Sequence, residues 1–249
     1  LSGHDTNNVA LKGTPKSRNS VSYLIDPTRT LSLNKTLTAS SSPYLVDRFG
    51  FTVPAGKTLT LEPGVVVKIV PNNEPSLTVN GTIAAMGSAT NPVVFTAFAD
   101  DTYGGDTNGN GSATAPSAGA WRQLRITSGS SNSSLSNTLV RYGGNLNAFG
   151  NTPKGAVGVE SATVSFSSTT VEYSSWHGIA LEHSASTITG SSFRGNDSND
   201  NTGAGVYASG GSPTISNSSF SGNYRGITLE SSTASVTGNS FTGNEQEAI

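Results

Sequence analysis

Ser186–Thr187–Ile188, Pro213–Thr214–Ile215 and Ala234–Ser235–Val236 are one motif met three times, and Ser192–Phe193, Ser219–Phe220 and Ser240–Phe241 follow it in turn. Both series step by 27 and then 21 residues, as do Gly195–Asn196, Gly222–Asn223 and Gly243–Asn244. A period near 21 is too short for paired-helix repeats and fits one turn of a parallel β-helix. With insertions allowed, the pattern extends backward. Residues 134–142 align with 165–173 at an offset of 31, so that turn carries an added loop. One inner column then reads Val140, Val171, Phe193, Phe220, Phe241, and a second reads Leu135, Phe166, Ile188, Ile215, Val236. A third strand per turn supplies pairs spaced by two, from Val157 and Val159 to Ile227 and Leu229, so both members of each pair face the interior. Three short strands per turn predict an all-β prism around a narrow apolar core.

Upstream, the same alternation runs through Leu59 and Leu61, then Val65, Val67 and Ile69, then Leu77 and Val79. Pro63–Gly64 and Asn80–Gly81 mark turns between them. Residues 1–50 are expected to form an irregular N-terminal segment with a first, imperfect turn, and residues 51–249 the coil. Loop insertions fall at 99–120, 143–155 and 194–204. The chain stops at Glu247–Ala248–Ile249, where a third strand is due. The expectation is that further turns or a second subunit meet the coil there, because an open strand edge recruits strands.

Composition narrows the classes of function. The 249 residues are 33% hydrophobic, only 12% charged, 7% aromatic and carry a net charge of -2. Disorder usually comes with high net charge and few aromatics, and this neutral polar bias suits short strands and tight turns instead. There is no basic excess for nucleic acid. No apolar run approaches the ~20 residues needed to span a bilayer. Cysteine is absent, so in an exported protein stacking rather than disulfides would supply the stability. A start at Leu1 rather than Met suggests a removed leader or upstream domain, and the expected location is secreted or cell-surface.

Few segments point to chemistry. Asp106, Asn108 and Asn110 are spaced by two and followed by Gly111, which matches the first half of a calcium loop. The twelfth position is Ser117 rather than Glu, so Asp100 or Asp101 would have to add charge. The expectation is one structural calcium ion held by Asp100, Asp101, Asp106, Asn108 and Asn110, against the alternative of a polar loop. A second acidic loop, 196–201, reads as a solvated bulge. Asn196, Asn223 and Asn244 read as a hydrogen-bonded ladder along the stack rather than a binding site. Tyr142 and Tyr173 read either as a cross-strand aromatic pair or as a sugar platform, and Trp176–His177 as a possible sugar contact. Hydrolysis of glycosides needs two carboxyl groups flanking the substrate. Glu182 and Glu230 lie in nearly equivalent positions two turns apart, a spacing that chance also produces.

The stretch 53–68 (from Val53–Pro54–Ala55–Gly56 to Val67–Lys68) resembles the opening of secreted bacterial right-handed parallel β-helix repeat proteins. So do Leu77–Thr78–Val79–Asn80–Gly81–Thr82–Ile83, Asn91–Pro92–Val93–Val94–Phe95–Thr96, and the 100–112 insertion followed by Gly119–Ala120–Trp121. The likeness covers roughly residues 45–249. It implies a right-handed coil and relatives that include surface proteins, adhesin-like stalks and polysaccharide-active enzymes. The signatures of polygalacturonases, pectate lyases and alginate epimerases are missing from the sequence. The leading expectation is therefore a non-catalytic extracellular module: a stalk, an adhesin segment or a filament subunit. The alternative is a polysaccharide lyase or hydrolase, or the carbohydrate-binding part of one.

Overall fold

The computed structural model describes residues 29–71, 77–130, 132–145, 153–196 and 203–246, together with the backbone of the short strands Gly3–His4, Ala10–Leu11 and Ser22–Tyr23. Residues 197–202 and 247–249, on which the second acidic loop and the chain end fall, lie outside the described residues.

Each turn visits three faces in order. The turn Thr58–Leu61, Val66–Ile69 and Leu77–Val79 is typical. The first strands of all turns form an 8-stranded sheet, face one. The second strands form face two, 11-stranded because the three N-terminal strands extend it. The third strands form a 7-stranded sheet, face three. Every pairing among the described turns is parallel, and parallel crossovers close right-handed. The first turn begins at Lys35–Leu37, within the N-terminal 50 residues, and closes with Phe51–Val53.

The columns read from the repeat are the observed register. Leu135, Phe166, Ile188, Ile215 and Val236 stand in line on face one. Val140, Val171, Phe193, Phe220 and Phe241 do so on face two. Val157, Ile179, Val206 and Ile227 complete the core on face three. The Phe193 and Phe220 rings stack at 4.9 Å, and the Phe220 and Phe241 rings at 5.1 Å. Gly205 makes room for them: a Cβ there would fall 2.7 Å from Phe220 Cδ1.

Polar ladders run along the corners. Asn196 Nδ2 donates to Asn223 Oδ1, and Asn223 Nδ2 to Asn244 Oδ1, both at 3.0 Å. The backbone N–H groups of Asn196 and Asn223 donate to the same oxygens. Each carboxamide thus satisfies amides that the bend removes from the sheet, which the core could not leave bare. The left-handed residues of these bends are Gly195, Gly222 and Gly243. At another corner, the N–H groups of Thr169 and Ser191 donate to the hydroxyls of Ser191 and Ser218.

The long insertions leave the coil at a single corner. They join Val93–Ala97 to Leu124–Ile126, Thr138–Arg141 to Gly155–Glu160, and Ser192–Arg194 to Ala204–Ser209, each time from face two to face three.

Candidate functional site

The first insertion folds back over the outer side of face two. Val66, Val94 and Leu139 form a second apolar cluster there, with Tyr103 of the loop packed on it. Beside this cluster Lys68 is fully buried and donates through Nζ to the Gly105 carbonyl. Burial pushes its ammonium below the ordinary lysine value, while Asp101, Asp100 and Asp106 pull it back. Asp100 is also buried. It accepts from Thr96 Oγ1 and from the Thr102 N–H, and lies 3.6 Å from an Arg141 terminal nitrogen.

From Arg141 the charges continue along the rod. Arg141, Glu172 and Arg194 are in register on consecutive turns. Glu172, 2% exposed, has one oxygen 3.0 Å from Arg141 Nε, an ion pair without hydrogen-bond alignment, and accepts from Arg194 Nε through the other. Arg141 also donates to the Tyr142 hydroxyl at 2.8 Å, and its guanidinium lies over the Tyr142, Tyr103 and Tyr173 rings. Tyr142 and Tyr173 stack at 5.5 Å and 16°. Burial raises the Tyr142 phenol above its ordinary value, against the pull of Arg141.

The ladder ends in two exposed groups. Tyr173 is 40% exposed, and the Arg194 side chain 53%. Among the described residues Arg194 is paired through Nε. Tyr142, Tyr173, Gly195, Gly222 and Gly243 occupy one position in successive turns, all with positive φ between 55° and 64°. The aromatic stack therefore gives way to glycine past Tyr173. A Cβ at Gly195 would approach the Tyr173 ring to 3.1 Å, and one at Gly243 would meet nothing within 4 Å. Among the described residues, the ring of Tyr173 is thus followed on later turns by glycines, and the first of them, Gly195, comes directly after Arg194.

Of the expected metal ligands, Asp106, Asn108 and Asn110 lie together, joined by hydrogen bonds within the loop, whereas Asp100 is engaged elsewhere. Asp100 turns inward to Thr96 and Arg141. Asp106 accepts from the N–H groups of Gly109, Asn110 and Gly111. These bonds, the Gly111 one foremost, hold its carboxyl below the ordinary aspartate value. The Asn108 and Asn110 carboxamides donate to Thr114 Oγ1. Among the described residues no group of three His, Asp or Glu side chains is placed to hold a metal ion.

Trp176 and His177 do not form an open sugar platform. His177 is buried, its Nδ1 accepts the Ala204 N–H at 2.9 Å, and its ring stacks on Tyr207 at 4.6 Å. Lys154 Nζ sits 4.5 Å from the centre of the Trp176 ring. On the outer side of face three, Glu160, Glu182, Ser209 and Glu230 are in register on successive turns. Arg125 holds Glu160 at 2.6 Å, and the Tyr207 hydroxyl donates to Glu230 at 2.6 Å. Glu182 is raised above the ordinary carboxyl value by burial first and by the Glu160 charge second.

Reasoning from sequence missed Lys68, Arg141 and Arg194. A signal was present. The 31-residue offset that aligns Tyr142 with Tyr173 also aligns Arg141 with Glu172. Opposite charges on one column of a β-coil meet at the strand spacing of about 4.8 Å.

A family model described as right handed beta helix region matches residues 154–249. No curated protein and no solved structure matches the chain. The matched region and the three stacked parallel sheets make the chain a right-handed parallel β-helix.

Proposed function

On this right-handed parallel β-helix as scaffold, we propose an extracellular structural or adhesive module that contacts a glycan at its loop-bearing corner and carries out no catalysis. The observation that supports it is the exposed Tyr173 ring, stacked on the half-buried Tyr142, next to the exposed Arg194 side chain that the buried Glu172 holds through Nε. A sugar ring packs its C–H face on an aromatic face, and a guanidinium fork takes hydroxyl or carboxylate oxygens. Because Tyr142 and Glu172 fix both groups before binding, little side-chain freedom is lost on contact. In this reading the strand edge left by Ser240–Thr242, the last described strand of face two, receives a further turn or a second chain.

Calorimetric titration against neutral and acidic oligosaccharides tests the glycan contact. Tyr173→Ala is expected to weaken binding by about three- to tenfold. Unaltered affinity would sink the platform. Assays for reducing ends and unsaturated products on the same samples address the alternative, a polysaccharide-active enzyme, and turnover would put that reading first.

Calcium at the 100–110 loop belongs to the same proposal. The support is the Asp106, Asn108, Asn110 spacing; against it, Asp106 already serves the amides of the loop. An ion that binds only the folded state raises the melting temperature. The expected result is a rise with calcium that chelator reverses and Asp106→Ala removes. Identical melting with and without chelator overturns the clamp.

A further inference from the structure

We infer that Asp106 governs a spontaneous modification, the deamidation of Asn108 and Asn110. The chain has three Asn–Gly steps: Asn80–Gly81, Asn108–Gly109 and Asn110–Gly111. Such steps are the ones most open to this chemistry, because glycine offers no side chain to obstruct it and lets the backbone rotate. The glycine amide nitrogen loses its proton and attacks the asparagine Cγ. The bond from Cγ to the side-chain nitrogen breaks, ammonia leaves, and a five-membered succinimide remains. Water then opens the ring to aspartate or isoaspartate.

Attack needs the glycine N–H free to give up its proton and to swing toward Cγ. In all three steps that N–H is held. Gly81 N–H donates to the Val53 carbonyl at 3.0 Å, within the coil. Gly109 N–H donates to Asp106 Oδ1 and Gly111 N–H to Asp106 Oδ2, each at 2.8 Å. One carboxylate therefore restrains two exposed sites, one with each oxygen. Its negative charge also opposes loss of the proton from either amide. A third restraint acts on the other reactant. The Asn108 and Asn110 carboxamides both donate to Thr114 Oγ1, at 3.2 and 2.8 Å, which keeps each Cγ from turning toward the following nitrogen. Conversion of both sites would place aspartate at 106, 108 and 110 and add two negative charges to the loop packed around Lys68.

Asn80 serves as the internal control, because its restraint comes from backbone that no loop substitution removes. Wild-type protein and the Asp106→Ala and Asp106→Asn variants are held in mildly alkaline buffer, and peptide masses are followed for the gain that marks each conversion. In Asp106→Ala, Asn108 and Asn110 are expected to convert about tenfold faster than in wild type, the scale set by losing a charge-assisted hydrogen bond. Asn80 keeps its wild-type rate. Asp106→Asn retains one acceptor oxygen and falls between the two. Equal rates at Asn108 and Asn110 in wild type and Asp106→Ala overturn the inference, as does a rise at Asn80 as large as that at Asn108.

Discussion

Phe220→Ala is expected to lower the free energy of unfolding by about 3–5 kcal/mol. Phe220 is buried between Phe193 and Phe241, with ring centres 4.9 and 5.1 Å away. The loss has two parts. Apolar surface is no longer removed from water, and a cavity opens that the coil cannot close. Backbone hydrogen bonds on both sides fix the rise per turn, so the neighbouring rings cannot move together to fill the gap. Urea denaturation followed by circular dichroism measures it. A cost below about 1 kcal/mol would mean that the column collapses freely, and the rigid-core account would fail.

Glu172→Gln is expected to cost about 3–5 kcal/mol, because it leaves the charge of Arg141 buried without its closest partner. The neighbouring Arg194→Gln is expected to cost under about 1 kcal/mol. Both substitutions break the same Glu172–Arg194 pair, yet Arg194 is largely in solvent and Arg141 is not. Water can replace what Arg194 loses. Around Arg141 there are three tyrosine rings and the more distant Asp100 carboxylate, so little remains to compensate it. Matched denaturation curves for the two variants decide the point. Equal losses would show that the ladder is no stronger at its buried end.

The coil was legible in the sequence because a solenoid writes its contacts as a period. Phe193, Phe220 and Phe241 recur at the spacing at which they touch, so aligning repeats amounts to reading contacts. The asparagine ladder was legible for the same reason. The candidate site was less so. Tyr142 and Tyr173 were found because identical residues repeat, whereas Arg141, Glu172 and Arg194 alternate in charge, and alternation does not look like repetition. The fold-back of the 98–120 loop onto Lys68 was invisible, since an insertion has no partner turn to align with. The inward turn of His177 escaped for a related reason: its acceptor role depends on Ala204, across a loop of irregular length.

Three insertions of different length leave and rejoin the coil at one corner, and the strand register on either side of each is unbroken. That corner behaves as a splice point. Lengthening a loop there costs only closure entropy, about 0.6 kcal/mol for each doubling. The core, the ladders and the other two corners are unchanged by it. A lineage built on this coil can exchange what it displays, loop by loop, without having to refit the rod that displays it. An engineer can do the same by grafting foreign segments at the equivalent bend of the turns that carry no insertion.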